Sequence, residues 1–112
     1  MARAFMRGSC SFREAEDFLR TEIPECGLSC ELSEQAYHAY GDVNVCVMVF
    51  EKYYMRVSNY ASLTLVISGR DGDLGVDIIG AGGRSGVLSI SWGAEDHFVN
   101  AACAVMEKHG FR

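Results

Sequence analysis

Four β-rich apolar runs follow one another in this chain: "VNVCVMVF" at 43–50, "SLTLVIS" at 62–68, "GVDIIG" at 75–80 and "GVLSISW" at 86–92. Only turn-rich stretches separate them. Parallel neighbours need crossover connections of about a dozen residues or more, so consecutive strands this close must run antiparallel, as a meander. A weaker strand over 3–8 and a short one over 28–32 ("LSCEL") precede them.

Two helices complete the pattern. Ser11 with Glu14 forms a capping box. Phe12, Ala15, Leu19 and Ile23 then recur at helical spacing until Pro24 and Gly27 end the run. The second helix lies in "GAEDHFVNAACAVMEKHG", with Glu95 and Asp96 in its first turn, Lys108 and His109 in its last, and Gly110 as its stop, in the order the helix dipole favours. The expected fold is α+β: one domain over residues 1–112, with a curved antiparallel sheet of five to six strands and both helices on one face. The order strand, helix, five strands, helix is similar to a reduced helix-grip or TATA-binding-protein-like sheet, a topological likeness that carries no function.

Composition agrees with an independently folding unit. The 112 residues are 49% hydrophobic with one proline, and a chain of this length buries roughly two-thirds of its unfolded surface. A net charge of −5 argues against nucleic acid or an anionic membrane as partner, since both select clustered Lys and Arg. "MARAFMRGSCSF" is broken by Arg3, Arg7 and Ser9 before any signal-like apolar region develops. Five cysteines, mostly within apolar patterns, suit reduced thiols. The expected location is therefore the cytoplasm. Cys26 and Cys30 lack a second ligand pair at zinc spacing, so no metal or other cofactor is expected.

Strand parity assigns Val43, Val45, Val47, Val49, Leu63, Leu65, Ile67, Val76, Ile78, Leu88, Ile90 and Trp92 to the face beneath the helices. The other face would then show Cys46, Met48, Phe50, Thr64, Val66, Ile79, Val87, Ser89 and Ser91, too apolar for free solvation. Either a second copy of the chain or its own residues 33–42 would cover it. Met48, Phe50, Val66, Ile79 and Val87 are the candidate interface residues of a homodimer.

The glycine stretch "GAGGRSG", 80–86, is the second candidate site. In a meander it emerges at the same end of the sheet as residues 51–59. The two loops bring Gly82, Gly83, Arg84 and Ser85 towards Tyr53, Tyr54, Arg56 and Tyr60, a set suited to a small anionic ligand. The stretch misses G-x-G-x-x-G, and a strand follows where the dinucleotide motif needs a helix. A plain hairpin with positive-φ turn residues is the favoured account of the stretch. His38, His97 and His109 are scattered over a loop, a helix start and a helix end. Tyr37, His38 and Tyr40 belong to the other end of the sheet, near the expected start of the second helix. No nucleophile elbow occurs, so enzymatic activity is the weakest reading.

"VFEKYY", "LTLVISG", "GAGGRSG" and "ISWGAEDHFV" together resemble the pattern of a small bacterial family known as domain of unknown function 6054, over about residues 45–105. Arg84 and the cysteine content depart from that pattern. The resemblance implies a bacterial source and supplies no activity or catalytic residue. The expected function is a non-enzymatic interaction module that self-associates through its sheet face, with anion binding at the 80–86 loop as the alternative.

Overall fold

The computed structural model describes residues 2–27, 29–55, 58–82 and 94–112. Strand β1 (Ala2–Gly8) leads into helix α1 (Phe12–Glu22) and a 3-10 turn (Ile23–Cys26). Strands β2 (Glu31–Tyr40), β3 (Val43–Tyr54), β4 (Asn59–Arg70) and β5 (Asp73–Gly82) follow, then helix α2 (Ala94–Lys108). The strands form one antiparallel sheet in the order β1-β5-β4-β3-β2. The α+β reading with a curved sheet holds. The run expected at 86–92, with Val87, Leu88, Ile90 and Trp92, lies outside the described residues.

Local chemistry sets the element ends. Ser11 Oγ accepts from the Glu14 amide at 3.1 Å and donates to the Glu14 carboxylate at 3.2 Å, satisfying an otherwise orphaned donor of the first turn. A distant residue adds a second cap: Asp71, at the tip of the β4–β5 hairpin, accepts from the Phe12 amide at 2.8 Å. The same hairpin bonds back through Gly72 N–H to the Cys10 carbonyl at 3.1 Å. Gly72 holds this tip at φ 86°, a conformation that costs glycine almost nothing.

The core lies between the helices and one sheet face. Phe12, Ala15, Leu19 and Ile23 pack from α1 and the turn after it, as their spacing predicts, and Phe98, Val99, Ala102 and Met106 pack from α2. Beneath them lie Leu63, Leu65 and Ile67 of β4 and Leu74, Val76 and Ile78 of β5, all fully buried. On β3 the parity is opposite to expectation. Cys46, Met48 and Phe50 face the helices and are fully buried, while Val43, Val45, Val47 and Val49 are half-buried on the other face. Met48 and Phe50 are therefore core residues and not an exposed interface. The pairings Cys46 with Ile67, Met48 with Leu65 and Phe50 with Leu63 fix this register. Both parities of this strand are apolar, so alternation alone does not choose between them; the bulkier, more deformable Met and Phe side chains fill the space under the helices.

Residues 31–40 also depart from expectation. They pair along β3 as a ten-residue edge strand instead of a five-residue one over 28–32, so residues 33–40 do not cross the sheet face. His38 accordingly lies on a strand and not in a loop. The pairing shifts between Leu32 and Glu34, an irregularity that leaves Ser33 unpaired, its hydroxyl donating to Glu51 at 2.7 Å. This strand is polar because an edge strand with one uncovered face buries little.

The two helices are joined by ion pairs as well as packing. Glu22 meets Lys108 and, at 2.6 Å, His109, whose ring stacks on Phe18 with centroids 3.9 Å apart. The Lys108 and His109 hydrogen bonds hold the Glu22 carboxyl below its ordinary range.

Two predictions follow the geometry. Phe50→Ala should cost about 3 to 5 kcal/mol in urea unfolding, and Leu65→Ala about 2 to 5; Val49→Ala should cost far less than either, and equal losses at positions 49 and 50 would overturn the register. Because the Glu22 pKa is depressed, its contribution is present above the ordinary carboxylate value of 4.5 and is lost as pH falls through the depressed one. The melting-temperature gap between wild type and Glu22→Gln should thus be full at neutral pH and close in acid; a gap that widened there would refute the coupling.

Candidate interaction face

Both helices lie on one side of the sheet, and the strand registers then define the other side residue by residue. Three rows cross it from β1 to β2. One runs Arg3, Ile79, Thr64, Val49, Glu34, the next Phe5, Asp77, Val66, Val47, Ala36, and the third Arg7, Gly75, Ser68, Val45, His38. Among the described residues no helix packs on these rows. Their centre is apolar: Val45, Val47, Val49, Val66 and Ile79 are half-buried by one another, and Phe5, 56% exposed, leans across Gly75. Glycine at 75 makes room for that ring, since a β-carbon there would stand 2.9 Å from it.

Charge on this face is sorted by edge. Arg3 and Arg7 stand on β1, with Arg3 3.9 Å from Asp77 and Arg7 2.8 Å from Asp73. Glu31, Glu34 and Glu51 stand towards β2, where Glu31 and Glu51 are cross-strand partners. The face is thus an apolar centre interrupted by Asp77 beside Val66, with arginine–aspartate pairs along one edge and carboxylates along the other.

The predicted ligand residues divide. Tyr53 and Tyr60 are cross-strand partners on the uncovered face, their rings edge to face at 5.1 Å. Tyr54 turns to the helix side, between Phe98 and His97, with Lys52 Nζ 4.6 Å from its ring centre. Burial pushes its phenol up to about 12. Gly80 and Gly82 belong to β5. Arg56, Gly83, Arg84 and Ser85 lie outside the described residues. Beside Gly82 is a recess of about 200 Å³ lined by Glu51, Tyr60, Ala61, Ser62 and Ala81. The second helix begins at the Tyr54 end of the sheet, where His97 meets that phenol at 3.4 Å, and not near Tyr37, His38 and Tyr40, which sit by the β2–β3 turn.

A larger cleft of about 380 Å³ between α1 and the β2 edge is lined by Phe12, Arg13, Glu16, Asp17, Arg20 and Tyr37, among others. Its Arg20 is committed to Glu16 at 3.7 Å, Asp17 at 3.6 Å and Gln35 at 3.3 Å. The described residues hold no cluster of ligating groups suited to a metal ion, and none of the described helices is long and apolar enough to cross a membrane. The five cysteines are unpaired. Burial raises their thiols, Cys30 and Cys46 to about 11, the opposite of the depressed values that activate nucleophilic cysteines.

A two-layer α+β fold whose second sheet face no described helix covers is thus the class of protein these observations define. The chain belongs to the family of unknown function DUF6054, whose sequence model matches residues 1–110, the first half as well as the second. No curated protein and no solved structure matches it.

Sequence reasoning placed Val66 and Ile79 on this face but missed the β3 valines, Arg3, Phe5 and Glu34. Arg3 and Phe5 lie in the weak strand signal of residues 3–8 and the valines in the strong one of 43–50; what sequence lacks is the parity of β3, the strand nature of 31–40 and the register that sets β1 beside β5. The thiol chemistry is directly checkable: in the native protein at pH 8, Cys30 and Cys46 should resist a thiol reagent that modifies them at once in urea. Rapid native modification of Cys46 would contradict its burial.

Proposed function

We propose that this protein is a non-enzymatic interaction module of the bacterial cytoplasm that forms a homodimer through its uncovered sheet face. The observation that carries the reading is the contiguous Val45, Val47, Val49, Val66 and Ile79 surface on the side away from both helices. An antiparallel sheet facing water normally alternates to polar residues on that side, whereas an apolar centre inside a charged rim is the anatomy of an interface. Two-fold association of like faces is the commonest way to cover such a surface. Five raised, unpaired thiols accord with a reducing compartment.

Anion binding at the 80–86 loop is the less favoured reading. Among the described groups, Glu51 lines the recess beside Gly82 and Tyr54 points to the opposite side of the sheet from Tyr53 and Tyr60.

Light scattering tests the proposal. Wild type should scatter at twice its monomer mass of 12.3 kDa, and Val66→Arg, which sets a charge into the centre of the face from both sides, should scatter as a monomer with unchanged secondary structure. A monomeric wild type at high concentration rejects the dimer, and a dimer indifferent to Val66→Arg moves the contact elsewhere.

A further inference from the structure

We infer that the two copies meet face to face about a two-fold axis running along β4, so that Arg3 of each chain pairs with Glu34 of the partner subunit; this rests on the self-association proposed above. β4 is the middle strand of the described sheet, and each row crosses it symmetrically, with two strands on either side. Rotation about an axis along β4 therefore lays every row on itself reversed, β1 over β2 of the partner subunit. Val66 then meets its own copy at the centre. In the first row Arg3 falls opposite Glu34, twice by symmetry.

The other simple two-fold in the plane of the face runs across the strands, through the row that contains Val66. It keeps β1 over β1 and inverts the rows. Arg3 would then face Arg7 of the partner subunit, and Asp77 would face its own copy. Like charges set together at an interface cost several kcal/mol, so across these three rows charge favours the axis along β4, which sets Arg3 opposite Glu34. On that axis Asp77 meets an aliphatic valine while keeping Arg3 of its own chain at 3.9 Å, and Arg3 stands between two carboxylates.

Sheet twist does not spoil the match. Packed sheets lie about 10 Å apart and cross at about 30°. The β1 and β2 edges are about 10 Å from the axis, at about 4.8 Å per strand, so twist displaces facing residues by about 5 Å. Extended Arg and Glu side chains span that offset.

A charge-reversal cycle decides the geometry. Sedimentation equilibrium should show Arg3→Glu and Glu34→Arg each raising the dimer dissociation constant about tenfold or more, and the double variant returning to within about threefold of wild type. Thermal melts at low concentration check that each variant folds, because Arg3→Glu also opposes Asp77 within the chain. A wild-type dimer that Val66→Arg dissociates, but whose double reversal is no tighter than the weaker single, overturns this axis and leaves self-association standing. A monomeric wild type overturns both.

Discussion

Two helices of 11 and 15 residues are about 16 and 22 Å long at 1.5 Å per residue, while five strands span about 24 Å across the sheet at about 4.8 Å each. That mismatch of cover to sheet governs the molecule. Side by side, the helices cover β1, β5, β4 and β3 on one face, leaving β2 exposed, and no described helix covers the second face. Every strand must commit its larger apolar set to the covered side, and Phe50, Met48, Leu63, Leu65, Ile67 and Ile78 do so, all with no exposed surface. The second face receives what remains, which on β3 is four valines.

Holding the helices to one side depends on contacts far apart in sequence. The β4–β5 hairpin tip caps α1 through Asp71, so the sheet fixes where that helix begins. The chain end fixes α2: Arg7 and Arg112 exchange backbone hydrogen bonds of 2.7 and 2.9 Å, and Phe111 is buried against Phe18 and beside Gly8. Glu22 then links the last turn of α1 to the end of α2. Thus α2 is pinned to the sheet edge that carries β1, and α1 to the β4–β5 hairpin and to α2.

Helix positions were legible in the sequence because caps and 3.6-residue spacing are local signals. Ser11, Glu14, Pro24 and Gly110 mark ends that the structure keeps within a residue or two. Leu65, Val76 and Ile78 were legible as core because their strand neighbours Thr64, Val66, Asp77 and Ile79 are smaller, polar or fewer. β2 was not, since "ELSEQAYHAY" lacks the hydrophobic alternation that reveals a strand, and only pairing with β3 makes it one. The division of Tyr53 and Tyr60 from Tyr54 was hidden for the same reason. Adjacent strand residues point to opposite faces, but sequence does not say where a strand ends and a loop begins; here β3 runs four residues past its expected limit, through Tyr54 itself.

The misread parity of β3 carries physical information of its own. A strand with one wet face alternates, and its parity can be read; a strand dry on both faces does not, and reads as a continuous apolar run. "VNVCVMVF" reads as such a run in sequence, and "LTLVI" on β4 does so apart from Thr64; both cross the middle of the sheet. The edge strands β1 and β2, by contrast, place Arg3, Arg7, Glu34 and His38 on the uncovered side. Hydrophobicity on that side is greatest on β3, with Val45, Val47 and Val49, while β4 offers Val66 between Thr64 and Ser68 and β5 offers Ile79 beside Asp77. The ambiguity that defeats parity in the sequence and the valine column of β3 in the structure are thus two views of one pattern, an apolar strand whose second face no described helix covers.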